Sequence, residues 1–387
     1  MPPEATTVPR PEPLYTSRFW QLCAVHFTGA MTASLYILFP LYVRALGGTE
    51  LTIGIYAGVT TASAVAIRWP IGRLLDAGHR WQVLFGASAV HLLSWLLLFP
   101  TAALGPFLLL VVLLHGVTGG TLFATYFTVA NDSIPASRRA EGIAMFGVFG
   151  MLPNGLGPAV GELALAWGGF PAYFAAASAF GIASLALILI LPRHAPPAHL
   201  TAEHVRARLA TTLKPVAGLL VVTLLFGLCV NAVFTFIAPY LHGTQEATAA
   251  PFFLAYSITS VVVRIVGGRI PDRFGLRRVL IPCLAIYVGG LAALSWYGAA
   301  PPLVAIGIAC GIGHGYAFPI LTAMVVARAE PAVYGMTLSF YTAMFDLGGA
   351  LGAPVLGAIA HAFGYPEMFG VTAVVMVFAV LMAMRTR

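Results

Sequence analysis

Along this chain, apolar stretches of helix-spanning length alternate with brief polar breaks. Twelve such runs stand at residues 18–46, 51–75, 82–100, 105–131, 140–167, 171–191, 215–241, 249–271, 279–297, 302–328, 334–361 and 367–384. About 20 apolar residues cross a bilayer as helix, so the pattern predicts an all-α polytopic membrane protein with twelve transmembrane helices. An even number of crossings returns both termini to one side. The proline-rich segment 1–17 is expected to be a disordered tail, and 192–214 is the only long polar segment, a linker between six-helix bundles at 18–191 and 215–387. Within the linker, Val205, Leu209 and Leu213 recur at i, i+4, i+8 with Arg206, Arg208 and Lys214 around them. That reads either as an ordinary linker with helical character or as a helix lying on the inner leaflet.

The two bundles repeat one another. Sliding the sequence by 196 positions lays Arg264 on Arg68, Gly268 on Gly72, Arg269 on Arg73 and Asp272 on Asp76. The same offset lays Gly315 on Gly119, Pro331 on Pro135, Pro354 on Pro158 and Gly357 on Gly161. One register held over this distance marks an internal duplication. In each copy an apolar run ends in Gly-Arg-x-x-Asp, followed by a few polar residues and another apolar run, which is a short charged turn between two membrane helices.

That turn resembles the signature loop of the major facilitator superfamily, G-x-L-x-D-R-x-G-R-[RK]. The second copy keeps Gly268, Asp272, Arg273, Gly275, Arg277 and Arg278, whereas the first keeps Gly72, Leu74, Asp76 and Arg80 but has Ala77 and His79 in place of Arg and Gly. The fifth run carries Pro153, Gly157, Pro158, Gly161 and Glu162 at the positions of the family's antiporter motif, G-x-x-x-G-P-x-x-G-G. The resemblance, to twelve-helix drug or metabolite:proton antiporters, implies a secondary transporter working by alternating access, with export by exchange. It also implies a cavity between the halves for which Tyr36, Tyr126, Asn231, Phe234 and Tyr316 are candidates. It further implies that the charged turns gate the cycle: Asp76 and Asp272, with Arg80 and Arg273, latch the outward-facing state, and Asp132 joins them at the inner end of the fourth helix. His115 lies near the place where proton-coupled members often carry an Arg.

Composition and charge narrow this. With 59% hydrophobic and 9% charged residues and a mean hydropathy of +0.91, a soluble core of this size is excluded. The net charge of +7 is scattered through short loops and does not suggest nucleic acid. If the Asp76 and Asp272 turns face the cytoplasm, only Arg44 among 20 Lys and Arg lies at the outer face, so both termini are expected inside the cell's inner (plasma) membrane. Cys23, Cys229, Cys283 and Cys310 all stand in apolar runs without ligand spacing, implying neither disulfides nor a metal site. Ser88 and His91 share a helix, but no G-x-S-x-G, H-E-x-x-H or nucleotide-binding loop accompanies them. The expectation is a monomeric transporter, not an enzyme, with no cofactor, whose partners are a small-molecule substrate, protons and the lipid bilayer.

Ionisable side chains deep in a membrane are costly without a role or a partner. Asp346 lies about 18 Å along its helix from the cytoplasmic start, where it is either a proton site or a structural acid bonded to a neighbouring helix. Glu162 stands nearer the outer end, as a gate or as an ion-pair partner of Arg44. His115 and His314 are near mid-membrane and read either as substrate or proton-relay groups or as hydrogen-bonded packing residues. Packing is the preferred reading of His26 and His91. Arg68, Gly72 and Asp76 are spaced i, i+4, i+8, so Arg68 shares the glycine face that the resemblance packs against the helix of Asp346. An Arg68–Asp346 contact is expected in the state closed to the cytoplasm, broken on protonation. Aromatic walls with few charges suit a hydrophobic, amphipathic or cationic solute, and the expected lack of Lys or Arg at the midplane disfavours a multiply anionic one. An importer or uniporter of a neutral metabolite, and a non-transporting receptor on the same fold, remain as alternatives.

Overall fold

The computed structural model describes residues 13–192, 205–242, 248–296, 302–328 and 334–386. Most of the expected tail, and residues 193–204 of the expected linker, lie outside the described residues. No strand occurs among the described residues. The chain runs through α1 (Ser17–Leu35), α2 (Phe39–Ala45), α3 (Glu50–Asp76), α4 (Arg80–Leu96), α5 (Pro106–Asn131), α6 (Arg139–Met151) and α7 (Pro153–Ile190). It continues through α8 (Val205–His242), α9 (Ala250–Ile265), α10 (Ile270–Phe274), α11 (Leu276–Ser295), α12 (Leu303–Val326), α13 (Tyr334–Phe363) and α14 (Tyr365–Arg385).

Nine stretches among the described residues are long and apolar enough to cross a membrane. One of these, Glu141–Ile190, is 50 residues long and is two passes. The chain reverses at Gly168 and at Gly169, whose φ of +63° no β-carbon tolerates cheaply, just before Pro171. Residues on either side of the reversal meet the same point of α1: Gly157 packs on Ser34, and the Tyr173 hydroxyl donates to the Leu35 carbonyl at 2.6 Å. The shorter apolar helices α4, of 17 residues, and α9, of 16, complete a path of twelve passes. The first pass breaks at a 3-10 turn, Tyr36–Leu38, because Pro40 has no N–H to offer the Tyr36 carbonyl. That break aims the Tyr36 ring into the bundle.

Both described ends of the chain lie at one end of the bundle. Leu14 packs beside Ile134 at Gly142, and Thr386 lies against Gly218 near the start of the seventh pass. The Asp76 turn is tied to the same end, because Arg80 at the start of α4 forms an ion pair with Asp132 at the end of α5. We call this the termini end and its opposite the distal end.

The two halves meet along α3 with α13 and along α7 with α9. A β-carbon on Gly54 would stand 2.3 Å from the Ala353 carbonyl oxygen, and one on Gly58 2.7 Å from the Pro354 ring. Gly357 returns the contact, its own β-carbon position lying 3.0 Å from Gly54 Cα. Further along the same helix, a β-carbon on Gly72 would meet nothing within 4 Å. The second seam behaves alike. Gly155 lies against the Phe253 carbonyl, and the Ser257 hydroxyl donates to the Met151 carbonyl at 2.5 Å, whereas Gly147, toward the termini end, faces open space. The halves therefore touch backbone to backbone at the distal end and diverge toward the termini end, forming a wedge.

Gly54→Val should force the distal seam apart. Overpacking of this kind costs about 1–3 kcal/mol, which changes the ratio of distal-closed to distal-open molecules roughly 5- to 150-fold. Spin-label distances between the distal ends of α3 and α13 should lengthen in Gly54→Val and stay as in the parent in Gly72→Val. The four native cysteines are buried, which favours site-directed labelling.

Candidate functional site

The wedge narrows to a cavity of about 140 Å³ lined by α1, α2, α3 and α8. Tyr36, Phe39, Thr60 and Thr61 face it from the first half, and Asn231, Phe234 and Thr235 from the second. Its lining carries no ionisable acid or base. Tyr36 is held flat, stacked on Phe39 at 4.5 Å and on His115 at 3.7 Å, with its hydroxyl 3.4 Å from the Thr60 hydroxyl. Phe234 packs edge-on against Phe253 and Tyr256, and the Asn231 side-chain amide donates to the Gly227 carbonyl at 2.8 Å.

Three of the five expected cavity residues thus line this space, and two do not. Tyr126 is buried inside the first half, its ring 5.0 Å from His26 and its hydroxyl against Gly29. Tyr316 donates to the Gly267 carbonyl at 3.2 Å and so ties α12 to the end of α9. Both point away from the cavity because a helix presents only about a third of its residues to one neighbour, and the expected helix rotation was off for α5 and α12. Thr60, Thr61 and Thr235 were not anticipated; hydroxyls in apolar runs commonly bond to their own helix, as Thr60 and Thr61 do to the Tyr56 and Ala57 carbonyls at 2.9 Å each.

His115 sits behind Tyr36 and does not reach the cavity. It contacts His91 at 4.4 Å, Trp95 at 5.7 Å and, through Nδ1, the Ser94 hydroxyl at 3.3 Å. His91 in turn shares a 2.8 Å hydrogen bond with Thr118. His314, in the second half, is hydrogen-bonded to the Tyr256 hydroxyl and ringed by Phe226, Phe318 and Phe345. His26 stacks on Phe146 and bonds its carbonyl at 3.2 Å.

Below the cavity, toward the termini end, Arg68 crosses between the halves. Its guanidinium forms an ion pair with Asp346 and donates to the Thr342 hydroxyl at 2.8 Å; the two charged side chains are 11% and 24% exposed. Thr342 precedes Asp346 by one helical turn, so both reach the same guanidinium. This contact was expected in the state closed at the end bearing the charged turns. The structure shows the contact itself, with the guanidinium bridging α3 and α13 through Thr342 and Asp346.

Other expectations are corrected at the distal end. Glu162 does not pair with Arg44. Its two carboxylate oxygens accept from the Ala249 and Ala250 backbone N–H groups, at 2.5 and 3.1 Å, and so cap the start of α9 across the interface. A carboxylate is favoured there by the unpaired N–H groups and the helix dipole. Arg44 donates to the Pro239 carbonyl at 2.8 Å and lies 3.5 Å from Glu50, which also meets His361 at 3.3 Å. Three polar contacts, from Arg44, Glu50 and Glu162, thus bridge the halves at this end.

At the termini end the charged turns stand apart. Asp76, Asp272, Arg273 and Gly268 are exposed, and no described residue of the opposite half pairs with them. Arg80 is committed to Asp132 within its own half, so it is not Asp76 that holds it. The expectation of a midplane free of cations also fails. Arg68 reaches Asp346, and the Nε of Arg264 donates at 3.1 Å to the carbonyl of Gly315, halfway along α12.

Comparison with known proteins agrees with this architecture. The model of the Major Facilitator Superfamily matches residues 22–270 and 240–387. A relative from Enterobacter lignolyticus (strain SCF1), the multidrug resistance protein MdtG, is 27% identical over 367 residues, 91% of this chain and 87% of its own. The protein of the same name from Salmonella choleraesuis (strain SC-B67) is 26% identical over 366 residues, 91% and 90% of the two chains. Among solved structures, the nucleoside transporter NupG superposes with a TM-score of 0.77 at 14% identity, covering 96% of this chain and 98% of its own. A bacterial homologue of the human lysosomal transporter Spinster, in an inward-facing and unoccupied conformation, superposes with a TM-score of 0.77 at 15% identity, covering 95% and 96%. Matched along nearly its whole length by that family model, and folded as those transporters are, the chain belongs to the major facilitator superfamily: it is a multi-pass membrane transporter and not an enzyme.

Proposed function

We propose that this protein is a proton-coupled exporter of a small hydrophobic or amphipathic organic solute, acting as a monomer by alternating access, with both termini in the cytoplasm. The observation that carries the reading is the Arg68–Asp346 pair, an ionisable contact between the two halves in the path that the wedge opens. The orientation rests on the concentration of Lys and Arg at the termini end. In that orientation the structure is the inward-open state, sealed outside by Glu162, Arg44 and the glycine seams. The resistance proteins of similar sequence support export.

In the proposed cycle the ion pair is the proton-released form. When the distal seams part, Asp346 takes a proton from outside and its ion pair with Arg68 breaks. Return to the inward-open state restores Arg68 beside it, and the proton leaves to the cytoplasm. The charged turns at Asp76 and Asp272 dock against the opposite half only while the termini end is closed. A solute in the aromatic cavity needs no fixed charge, whereas a permanent cation would compete with Arg68 for Asp346. The geometry thus favours uncharged or amphipathic solutes over cations.

In inverted vesicles energised to an acid interior, the protein should drive uptake of an uncharged hydrophobic dye such as Nile red. Uptake should stop when nigericin collapses the pH gradient. Asp346→Asn should abolish gradient-driven uptake while leaving facilitated exchange measurable, because removing one partner of a buried pair costs about 3–5 kcal/mol in the state that forms it. Uptake indifferent to the gradient would instead support a uniporter.

Glu162→Ala should weaken distal closure. Loss of a helix cap costs about 0.5–2 kcal/mol, roughly a 2- to 30-fold shift toward the distal-open state. Glu162→Gln, which keeps an acceptor but loses the charge, should shift it less. Spin-label distances between the distal ends of α7 and α9 would report the order of the three proteins, and equal distances in all of them would refute the capping role.

A further inference from the structure

Arg264 repeats Arg68, but its position in the second half is not matched by an acid. The residue that repeats Asp346 is Gly150, which has no side chain to offer. The guanidinium of Arg264 turns instead to α12, where only its Nε is bonded, to the Gly315 carbonyl. No carboxylate pairs with it among the described residues, and no described acceptor is bonded to its Nη atoms. An arginine stays charged in a protein and carries its remaining donors on those two nitrogens, in a fork matched to a carboxylate.

Polar side chains and the aromatic cluster around His314 lie on this side of the second half, and among the described residues no carboxylate is bonded to the guanidinium. The carbonyl that Arg264 bonds belongs to Gly315, next to His314, which is hydrogen-bonded to the Tyr256 hydroxyl. The Tyr341 hydroxyl donates to the Phe318 carbonyl at 2.7 Å. Phe226, Phe318 and Phe345 surround His314 with ring centroids at 5.6, 6.0 and 6.2 Å. Arg264 is partly exposed, on a helix that borders the gap widening toward the termini end. In the first half the equivalent cation is quenched by Asp346, so the two halves differ by one unfilled positive site.

We propose that Arg264 is an anion-recognition site, which binds the singly charged carboxylate of an organic acid whose apolar body lies against the neighbouring aromatic rings. The site is separate from the uncharged cavity at Tyr36 and Phe234. It accounts for an amphipathic substrate class with one negative charge, and it excludes multiply charged anions, for which a single guanidinium supplies too little compensation. Binding requires neither proton coupling nor turnover, so its test stands apart from that of the export reading.

The test uses the purified full chain in phosphatidylcholine nanodiscs, with thermal unfolding followed by intrinsic fluorescence. Benzoate is titrated at constant ionic strength and neutral pH, beside benzyl alcohol and benzylammonium. Benzoate alone should raise the unfolding temperature saturably. Arg264→Gln should raise the half-saturating concentration at least tenfold, Arg264→Lys by a smaller factor, and Arg269→Gln, at an exposed cation on the following turn, should behave as the parent. Equal responses to benzoate and benzyl alcohol, or an unchanged response in Arg264→Gln, would overturn the assignment. Should Arg264→Gln fail to fold, a response in Arg264→Lys identical to the parent would do the same. A lipid phosphate offers the same anionic chemistry, and a second arm with phosphatidylglycerol in the nanodiscs separates the two. A benzoate response that persists there supports a solute site, whereas one that disappears in the parent assigns the guanidinium to the headgroup and overturns the solute reading.

Discussion

The close approach of α3 to α13 is the contact on which the rest of this structure depends. Between helices in lipid the hydrophobic effect supplies little attraction, because the alternative neighbour is equally apolar. What remains is dispersion between closely packed backbones and a few hydrogen bonds. Gly54, Gly58 and Gly357 permit that approach, and Ala353 and Pro354 fill it. Because the glycines that make contact lie toward one end of α3 while Gly72 lies free at the other, the seam acts as a fulcrum and the halves open as a wedge.

Polar contacts then decide how tightly the wedge is held. Glu162 on the α9 terminus, Arg44 on the Pro239 carbonyl and His361 beside Glu50 add directional bonds where the halves touch. Midway, Arg68 and Asp346 neutralise one another across the interface. Each of these acids is thereby compensated, by a cation, by helix N–H groups or by a histidine, as a low-dielectric setting requires. Arg264 is the exception, and it stands where the internal repeat would have placed the second ion pair. The position that repeats Asp346 is Gly150, so the repeat supplies two equivalent cations and an acid for only one of them.

The aromatic interior divides similarly. In the first half, Tyr36, His115, His91 and Trp95 form a chain of ring contacts that stiffens the wall of the cavity. In the second, His314 is enclosed by phenylalanines and a tyrosine hydroxyl. Histidines that look equivalent as isolated polar residues in apolar runs therefore do different things: one supports a cavity wall from behind, the other borders a cation.

The amino-acid sequence by itself determined the passes, the duplication, the charged turns and the spacing that puts Arg68 on the same face of α3 as Gly72. Each of these is a local or periodic property, set by hydrophobic length and by the helical repeat. Even the partnership of Arg68 with Asp346 was legible, because both charges are rare at that depth and the resemblance to the major facilitator superfamily implied that their helices pack together. Only the tertiary structure decided which end of the bundle is closed, that Glu162 caps α9 and leaves Arg44 to a backbone carbonyl, and that Tyr126 and Tyr316 turn away from the cavity. Those outcomes depend on the rotation of each helix about its axis and on the tilt of one half against the other. Apolar residues surround most of each membrane helix, so the pattern along the chain carries little record of either.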